Sequence, residues 1–270
     1  MGLYDIMDEI AAKQVTKSET GDNRIYGVIV GIVVKNYDQQ MPGRVCVQIP
    51  VRDSEANELK WARVAMISSG KDWGHYFLPE VGDQVLLVFE QGNIEKPYVI
   101  GCVPKQSDKF LTKSTDRKNQ IKRIVTKNGS TIQFDDKENA DGSQDKISII
   151  TAGTQRKVVL DNEKKQITIS DKESKNKIEI KSESGNIDIA AEHKLSIKVG
   201  DNLQLVMNSD SGTITVKCGK FKLEATEGVD IDANTRFGLS GGTVKVEASS
   251  MMKLESSGMA SITGSPIKIG

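Results

Sequence analysis

The chain has 270 residues and carries 37 basic and 37 acidic side chains, so its formal net charge is zero. A neutral chain lacks the positive field that attracts nucleic acid, and a nucleic-acid partner is therefore not expected. Hydrophobic residues make up 37% and aromatic residues 5% of the chain, which is low for a compact enzyme and suits a slender molecule with much surface. Cys46, Cys102 and Cys218 are odd in number and far apart, which favours unpaired thiols over a disulfide scaffold.

Residues 1–22 are predicted to form an N-terminal helix or arm. Leu3, Ile6, Met7 and Ile10 recur at the spacing of one helical face, with acidic residues between them. Such a short helix is marginal by itself, so we expect it to dock on another surface or to fray. The segment lacks a basic stretch followed by an apolar run, so no secretory signal is predicted. The rest of the chain contains no apolar run long enough for a membrane-spanning helix.

Residues 23–104 form a different block, for which the sequence predicts a small closed or nearly closed β-barrel. Five runs rich in Val, Ile and aromatic residues alternate with turn-forming clusters. The runs are IYGVIVGIVV, GRVCVQIPV, LKWARVAMI, QVLLVFEQG and PYVIGCV. Cys46 alternates with core positions and is expected to be buried, and Trp61 and Phe77 are expected to fill core strands.

Residues 105–122 are polar and basic and are predicted to be a linker, too short to hold an inserted domain. Residues 123–270 begin with the Asn128-Gly129 turn signal and then repeat a pair of apolar residues that flank one other residue. From Ile187 onward the pairs mostly start about seven or eight residues apart. The pairs are Ile147/Ile149, Ile167/Ile169, Ile178/Ile180, Ile187/Ile189, Leu195/Ile197, Leu203/Leu205, Ile214/Val216, Phe221/Leu223, Val229/Ile231, Phe237/Leu239, Val244/Val246, Met252/Leu254 and Ile267/Ile269.

The short period of this repeat favours an assembly of three chains. The two apolar residues of each pair point to one face of a strand, while a single-chain solenoid usually needs about twenty residues to close one coil. The missing sides can come from two more copies wound around a threefold axis, with strands pairing between chains and apolar side chains filling a narrow core. The alternative is an ordinary antiparallel sheet or a single-chain solenoid.

The barrel segment resembles a known family. GRVCVQIPV, WARVA and YFLPEVGDQVLLVFEQGNIEKPYVIGCV are similar to the oligonucleotide/oligosaccharide-binding (OB) barrel of the phage baseplate assembly protein V and VgrG spike family. TKNGSTIQFDD and the tail ending ITGSPIKIG resemble the shaft of that family. The resemblance covers about residues 24–270 and implies an all-β homotrimer, with an N-terminal OB-fold barrel followed by an intertwined triple-stranded β-helix.

Two departures from the family pattern bear on partners. Members fused to their hub carry several hundred residues before the barrel, which implies here a separate hub protein at the OB end, with Leu3, Ile6, Met7 and Ile10 helping the attachment. Some members end in a metal-binding apex of paired histidines, and the last part of this chain has no histidine. The open strand edges and apolar core expected at the C-terminal end require a cap. By resemblance, a tip protein of the PAAR-repeat kind would bind Ser265, Pro266, Ile267, Lys268, Ile269 and Gly270.

No catalytic, cofactor-binding or metal-binding motif is apparent. His75 and His193 lack nearby Cys or carboxylate residues at metal-ligand spacing, and no phosphate-binding or nucleophile motif occurs. The chain is therefore expected to be a non-enzymatic central spike without cofactors. We expect assembly in the bacterial cytoplasm into a tail or injection particle, and transient contact with a target membrane. The alternatives are a trimeric fibre that binds a receptor or glycan, and an OB-type nucleic-acid binder.

Overall fold

The computed structural model describes residues 24–49, 58–138 and 141–268. The predicted N-terminal helix, with Leu3, Ile6, Met7 and Ile10, lies outside the described residues, as do Ile269 and Gly270 at the other end. Within the described ranges the regular secondary structure is almost entirely β-strand. Two compact units can be distinguished, and each is described separately: residues 24–195 with 208–212, and residues 196–207 with 213–268.

The first five strands close into a barrel. They are β1 (Ile29–Lys35), β2 (Arg44–Ile49), β3 (Glu58–Val64), β4 (Gln84–Phe89) and β5 (Pro97–Cys102). The order around the barrel is β1-β2-β3-β5-β4, with every pair antiparallel except β3 and β5. The predicted five-stranded barrel is thus confirmed. Successive side chains of a strand point to opposite faces, so one face of each strand lies inside even where apolar residues occur on both, as in β1 and β4.

The barrel core consists of aliphatic side chains that are removed from solvent. The largest fully buried ones are Ile29, Ile49, Leu87, Val33, Val45, Val47, Val85 and Val99. Gly31 faces this core at a point where no side chain fits. A Cβ atom built on Gly31 would lie 2.6 Å from Leu87 Cδ1 and 3.2 Å from the carbonyl oxygen of Gln48. The missing side chain therefore lets Leu87 pack across β1.

A short helix, α1 (Lys109–Ser114), lies in the segment predicted to be a linker. It is followed by seven strands in one antiparallel sheet, in which every strand pairs with the next along the chain. The strands are β6 (Ile121–Val125), β7 (Thr131–Asp135), β8 (Lys146–Ile150), β9 (Arg156–Asp161), β10 (Gln166–Asp171), β11 (Lys177–Lys181) and β12 (Asn186–Ala190). The predicted turn at Asn128-Gly129 joins β6 and β7, with Gly129 at φ +94° and its N–H donating to the carbonyl of Thr126 at 2.8 Å.

The pairing within this sheet differs from the prediction. The repeat was expected to pair between chains throughout, whereas β6 to β12 make hairpins within one chain, as in the antiparallel alternative. The physical reason is that the connections are short and polar, and some carry residues with positive φ such as Lys165, Ser174 and Gly185. Such turns bring successive strands together directly.

The remainder of the repeat has two parts. β13 (Lys194–Val199), β14 (Leu203–Asn208) and β15 (Thr213–Lys217) form a three-stranded sheet in that order. Residues 218–268 form no strand with any described residue, although six of the predicted apolar pairs begin there. The chain is instead a series of straight segments between bends at 219, 226–227, 234–235, 242, 249–250, 257–258 and 265–266. The bends recur at the seven- or eight-residue spacing of the apolar pairs.

Candidate assembly surfaces

One face of the seven-stranded sheet is apolar across its whole width. The register places apolar residues directly opposite one another from strand to strand, so that Ile132 pairs with both Ile124 and Ile149, and Ile180 with both Ile167 and Ile187. Two rows result, and together we call them the apolar face. The first row is Ile124, Ile132, Ile149, Val158, Ile169, Ile178 and Ile189, and the second is Phe134, Ile147, Leu160, Ile167, Ile180 and Ile187.

The apolar face is open to solvent in the single chain. Its Ile, Leu and Phe side chains range from 37% exposed at Ile147 to 66% at Ile187. The opposite face carries mainly polar residues and is the less exposed one, with Ser148 and Ser170 buried on it. A folded chain normally covers its aliphatic side chains first. Contiguous exposed apolar patches are typical of surfaces that pack against another molecule or a membrane, so the apolar face is a candidate assembly surface.

Residues 218–268 also expose apolar side chains. Their apolar pairs are exposed, for example Phe221 at 67% and Val246 at 63%. On the other side of the extended chain, residues two apart form ion pairs, including Lys245–Glu247 at 2.5 Å and Lys253–Glu255 at 2.6 Å. Within the described residues, no backbone hydrogen bond between main-chain groups involves this segment. The segment therefore has the side-chain alternation of a β-strand without a strand beside it.

The residues predicted to bind a tip protein lie at the end of this segment. Ser265, Pro266, Ile267 and Lys268 are exposed, and half of the Ile267 surface is accessible. Ile269 and Gly270 fall outside the described residues. The exposed end is available to a partner, and tip-protein binding remains a prediction.

The barrel carries a charged cleft on its outer surface that sequence reasoning missed. It is lined by Arg44, Trp61, Arg63, Glu90, Glu95, Lys96, Pro97 and Tyr98. Trp61 was expected in the core, but it points outward from β3, because its neighbour Ala62 faces inward and is fully buried. Trp61 lies opposite Cys46 in the register, and Cys46 is 4% exposed, as expected of a buried thiol.

Glu90 in this cleft is held in its ionised form. It accepts hydrogen bonds from Lys96 Nζ at 2.9 Å and from the Tyr98 hydroxyl at 3.2 Å. The hydrogen bond from Lys96, followed by the charge of Lys96, lowers the pKa of Glu90 below its ordinary value.

A hairpin-like loop between β3 and β4 exposes further aromatic residues. The N–H of Gly70 donates to the carbonyl of Trp73 at 2.7 Å, and the N–H of His75 donates to the carbonyl of Ser68 at 2.9 Å. Trp73 and Phe77 are 67% and 61% exposed. Phe77 was expected in the core, and that expectation is wrong because it belongs to this loop and not to a barrel strand.

The two histidines contact different parts of the chain, and neither belongs to a metal-binding cluster of described residues. His75 Nδ1 lies 2.9 Å from Ser68 Oγ, and His193 Nδ1 lies 2.9 Å from Asp210 Oδ1. No group of three or more His, Cys, Asp or Glu side chains suited to a metal ion occurs in the part of the chain that the structure describes. The same part contains no helix with the length and hydropathy needed to cross a membrane.

Comparison with known proteins agrees with the barrel geometry. Residues 29–103 match the family model of the type VI secretion system/phage-baseplate injector OB domain. The resemblance to the baseplate protein V and VgrG spike family is confirmed. The matched range runs from the start of β1 to just beyond β5, so it coincides with the closed barrel.

Several type VI secretion system spike proteins of Pseudomonas aeruginosa are similar to part of this chain. VgrG2a is 39% identical over 62 residues, which cover 22% of this chain and 7% of the relative. VgrG1c and VgrG1a are each 27% identical over 95 residues, which cover 33% of this chain and 13% and 15% of those relatives. The chain thus spans well under a fifth of the length of the curated relatives that it matches.

Proposed function

We propose that three copies of this chain form the central spike of a contractile tail or injection system. The single observation that carries the proposal is the apolar face. The described chain leaves the thirteen apolar side chains of these two unbroken rows partly or largely exposed. Three such sheets, packed with their apolar faces inward around a common axis, would bury them in a narrow core.

The unpaired segment 218–268 supports a closer association further along the chain. Its main-chain groups and apolar pairs both need partners, and neighbouring copies can supply them by pairing strand with strand, as in a triple-stranded β-helix. The proposed shaft therefore has two kinds of packing. Residues 121–190 associate through side chains alone, and residues 218–268 associate through side chains and inter-chain hydrogen bonds.

The mechanism of such a spike is mechanical. Contraction of a sheath drives the spike forward, and a shaft whose strands are cross-linked by many hydrogen bonds shares the load among them and resists bending. The barrels seat the shaft on a separate hub protein. A PAAR-type tip protein caps Ser265, Pro266, Ile267, Lys268, Ile269 and Gly270, and the tip makes the transient contact with the target envelope. The proposal assigns the chain no catalytic step.

Mass photometry of the full chain tests the assembly. The expected result is a single species of three times the mass of one chain at nanomolar concentration. A monomer, or a dimer, would contradict the proposal. A gel-shift experiment at low salt distinguishes the spike from the alternative function of an OB-type nucleic-acid binder. The alternative requires binding to single-stranded DNA, whereas the spike does not.

A further inference from the structure

Two arginine side chains in the charged cleft of the barrel have no acidic partner of their own. Arg44 and Arg63 lie directly opposite each other in the register of β2 and β3, and like charges placed so repel one another. The acidic residues of the cleft are already engaged, since Lys60 pairs with Glu95 and Lys96 with Glu90. Neither guanidinium group makes a hydrogen bond or a close ion pair with a described residue, although the charge of Arg63 contributes to lowering the pKa of Glu90. Arg44, Arg63 and Lys96 outnumber Glu90 and Glu95 along the cleft, so its lining carries net positive charge.

The same surface also offers apolar contact area. Trp61 and Tyr98 flank the arginines, and Leu59, two residues before Trp61 and on the same side of β3, is 57% exposed. A surface with aromatic and aliphatic groups beside paired guanidinium groups fits an acidic amphipathic segment. The chemistry of the expected occupant is thus a short peptide with carboxylates next to leucine or isoleucine.

The chain leaves the described region at the edge of this cleft. The N–H of Ile25 donates to the carbonyl of Gly92 at 2.9 Å. Arg24, the first described residue, lines a depression with Gly92, Glu90 and Lys96, and the last two also line the charged cleft. Arg24 therefore lies beside the cleft, and fourteen residue steps, the number from Ile10 to Arg24, can span about 45 Å when extended.

We propose that residues 3–10 of the same chain dock into the charged cleft of the barrel. Asp5, Asp8 and Glu9 supply the carboxylates that Arg44 and Arg63 lack. The apolar positions Leu3, Ile6, Met7 and Ile10, at helical spacing, supply the side chains that cover Leu59, Trp61 and Tyr98. This inference goes beyond the spike proposal and does not require the hub, because the docking occurs within one chain.

Trp61 provides the readout. The chain has two tryptophans, so a Trp73→Phe background leaves Trp61 as the only one, and acrylamide quenching then reports its exposure. Deleting residues 1–20 should raise the quenching constant about twofold and shift the emission to longer wavelength, since docking covers the indole ring. The charge-reversing pair Asp8→Lys and Glu9→Lys should have the same effect, and Glu19→Lys, outside the docking segment, should have none.

Charge reversal on the barrel makes the test specific. Arg63→Glu should expose Trp61, Arg63→Lys should keep it covered, and combining Arg63→Glu with Asp8→Lys should restore protection. Equal quenching of Trp61 in the full chain, the deletion and the Asp8→Lys/Glu9→Lys variant would overturn the docking. The docking would also be overturned if the deletion exposed Trp61 to quenching while the charge variants left it protected. Because no hub protein is present and the mass of the assembly is measured separately, failure here leaves the spike proposal standing.

Discussion

Part of the barrel core follows directly from local sequence, whereas the residues of its surface do not. Alternation marks the inward positions Val45, Val47 and Ile49 of β2, because successive side chains of a strand point to opposite faces. In β1 and β4 apolar residues occur on both faces, so the sequence does not say which face is inside. Trp61 was misplaced because hydrophobicity alone does not say which of the two faces of a strand a large aromatic ring takes. Phe77 was misplaced because it lies in a loop and not in a barrel strand.

The close approach of Leu87 to Gly31 gives a prediction at the residue scale. Gly31→Ala should destabilise the barrel by about 1–3 kcal/mol, because the new Cβ meets a fully buried side chain that has no room to move. Leu87→Ala should cost about 2–5 kcal/mol through the cavity it leaves. The double variant should lose less than the sum, since each change relieves the defect of the other.

Denaturant unfolding followed by tryptophan fluorescence measures these differences, because Trp61 and Trp73 both belong to the barrel domain. Gly27→Ala is the matched control. No heavy atom lies within 4 Å of a Cβ built on Gly27, so its midpoint should stay close to that of the unchanged protein. Strict additivity of the Gly31 and Leu87 changes would show that the two sites do not share one packing contact.

The His193–Asp210 pair predicts a pH dependence. Hydrogen bonding to Asp210, and then its negative charge, raise the pKa of His193 above its ordinary value. The pair therefore stabilises the fold fully below the unfolded pKa of histidine, and this contribution is lost as the pH rises through the raised pKa. NMR titration of the two histidine rings should show the His193 pKa falling in Asp210→Asn. An unchanged midpoint in that variant would mean that Asp210 does not contact the ring in solution.

At the level of elements, the sequence predicted where the strands of the repeat lie but not how they pair. The apolar pairs located β8 and β10 to β15 correctly, because the two-residue alternation is a local property. That alternation does not determine whether a strand pairs with its neighbour in the same chain. The same short period suits a hairpin within one chain and a strand shared between chains, so the sequence could not distinguish β6 to β12 from the residues after Lys217.

The apolar face predicts a sharp difference between neighbouring residues of β12. Ile187→Asp should break the assembly, because each copy loses the burial of one isoleucine, about 1.5–3 kcal/mol, and the three new charges are brought together. Asn186→Asp, on the other side of the same strand and opposite Lys181, should leave the assembly intact. Sedimentation velocity of the two variants at equal concentration makes the comparison. Equal mass for both would exclude the apolar face as the packing surface.

At the scale of the whole molecule, the barrel, the presence of a repeat and the resemblance to the baseplate spike family could be predicted from the sequence. The division of the repeat into a self-paired part and an unpaired part could not be, because the alternation of apolar residues is the same in both parts. The charged cleft could not be predicted either, since Arg44, Arg63 and Tyr98 come together only when β2, β3 and β5 align.

Hydrogen exchange distinguishes a shared shaft from a frayed tail. If residues 218–268 pair with other copies, their backbone amides should exchange slowly in the full assembly. This would be so although these amides donate no hydrogen bond to a described main-chain carbonyl of the same chain. Peptides from this segment should be protected comparably to peptides from β8 to β11, and far more than peptides from the loop around Trp73. Complete exchange within seconds would contradict inter-chain pairing there.

The regular bends between 219 and 266 bear on how such a protein can change in length. Every stretch between two bends carries apolar residues at its second and fourth positions, so removing or duplicating one whole stretch leaves the apolar positions of the others correctly oriented. Loss of one residue inside a stretch instead turns the side chains that follow it to the wrong side until the next bend. Evolution and engineering therefore preserve the apolar side of this segment when its length changes by whole stretches.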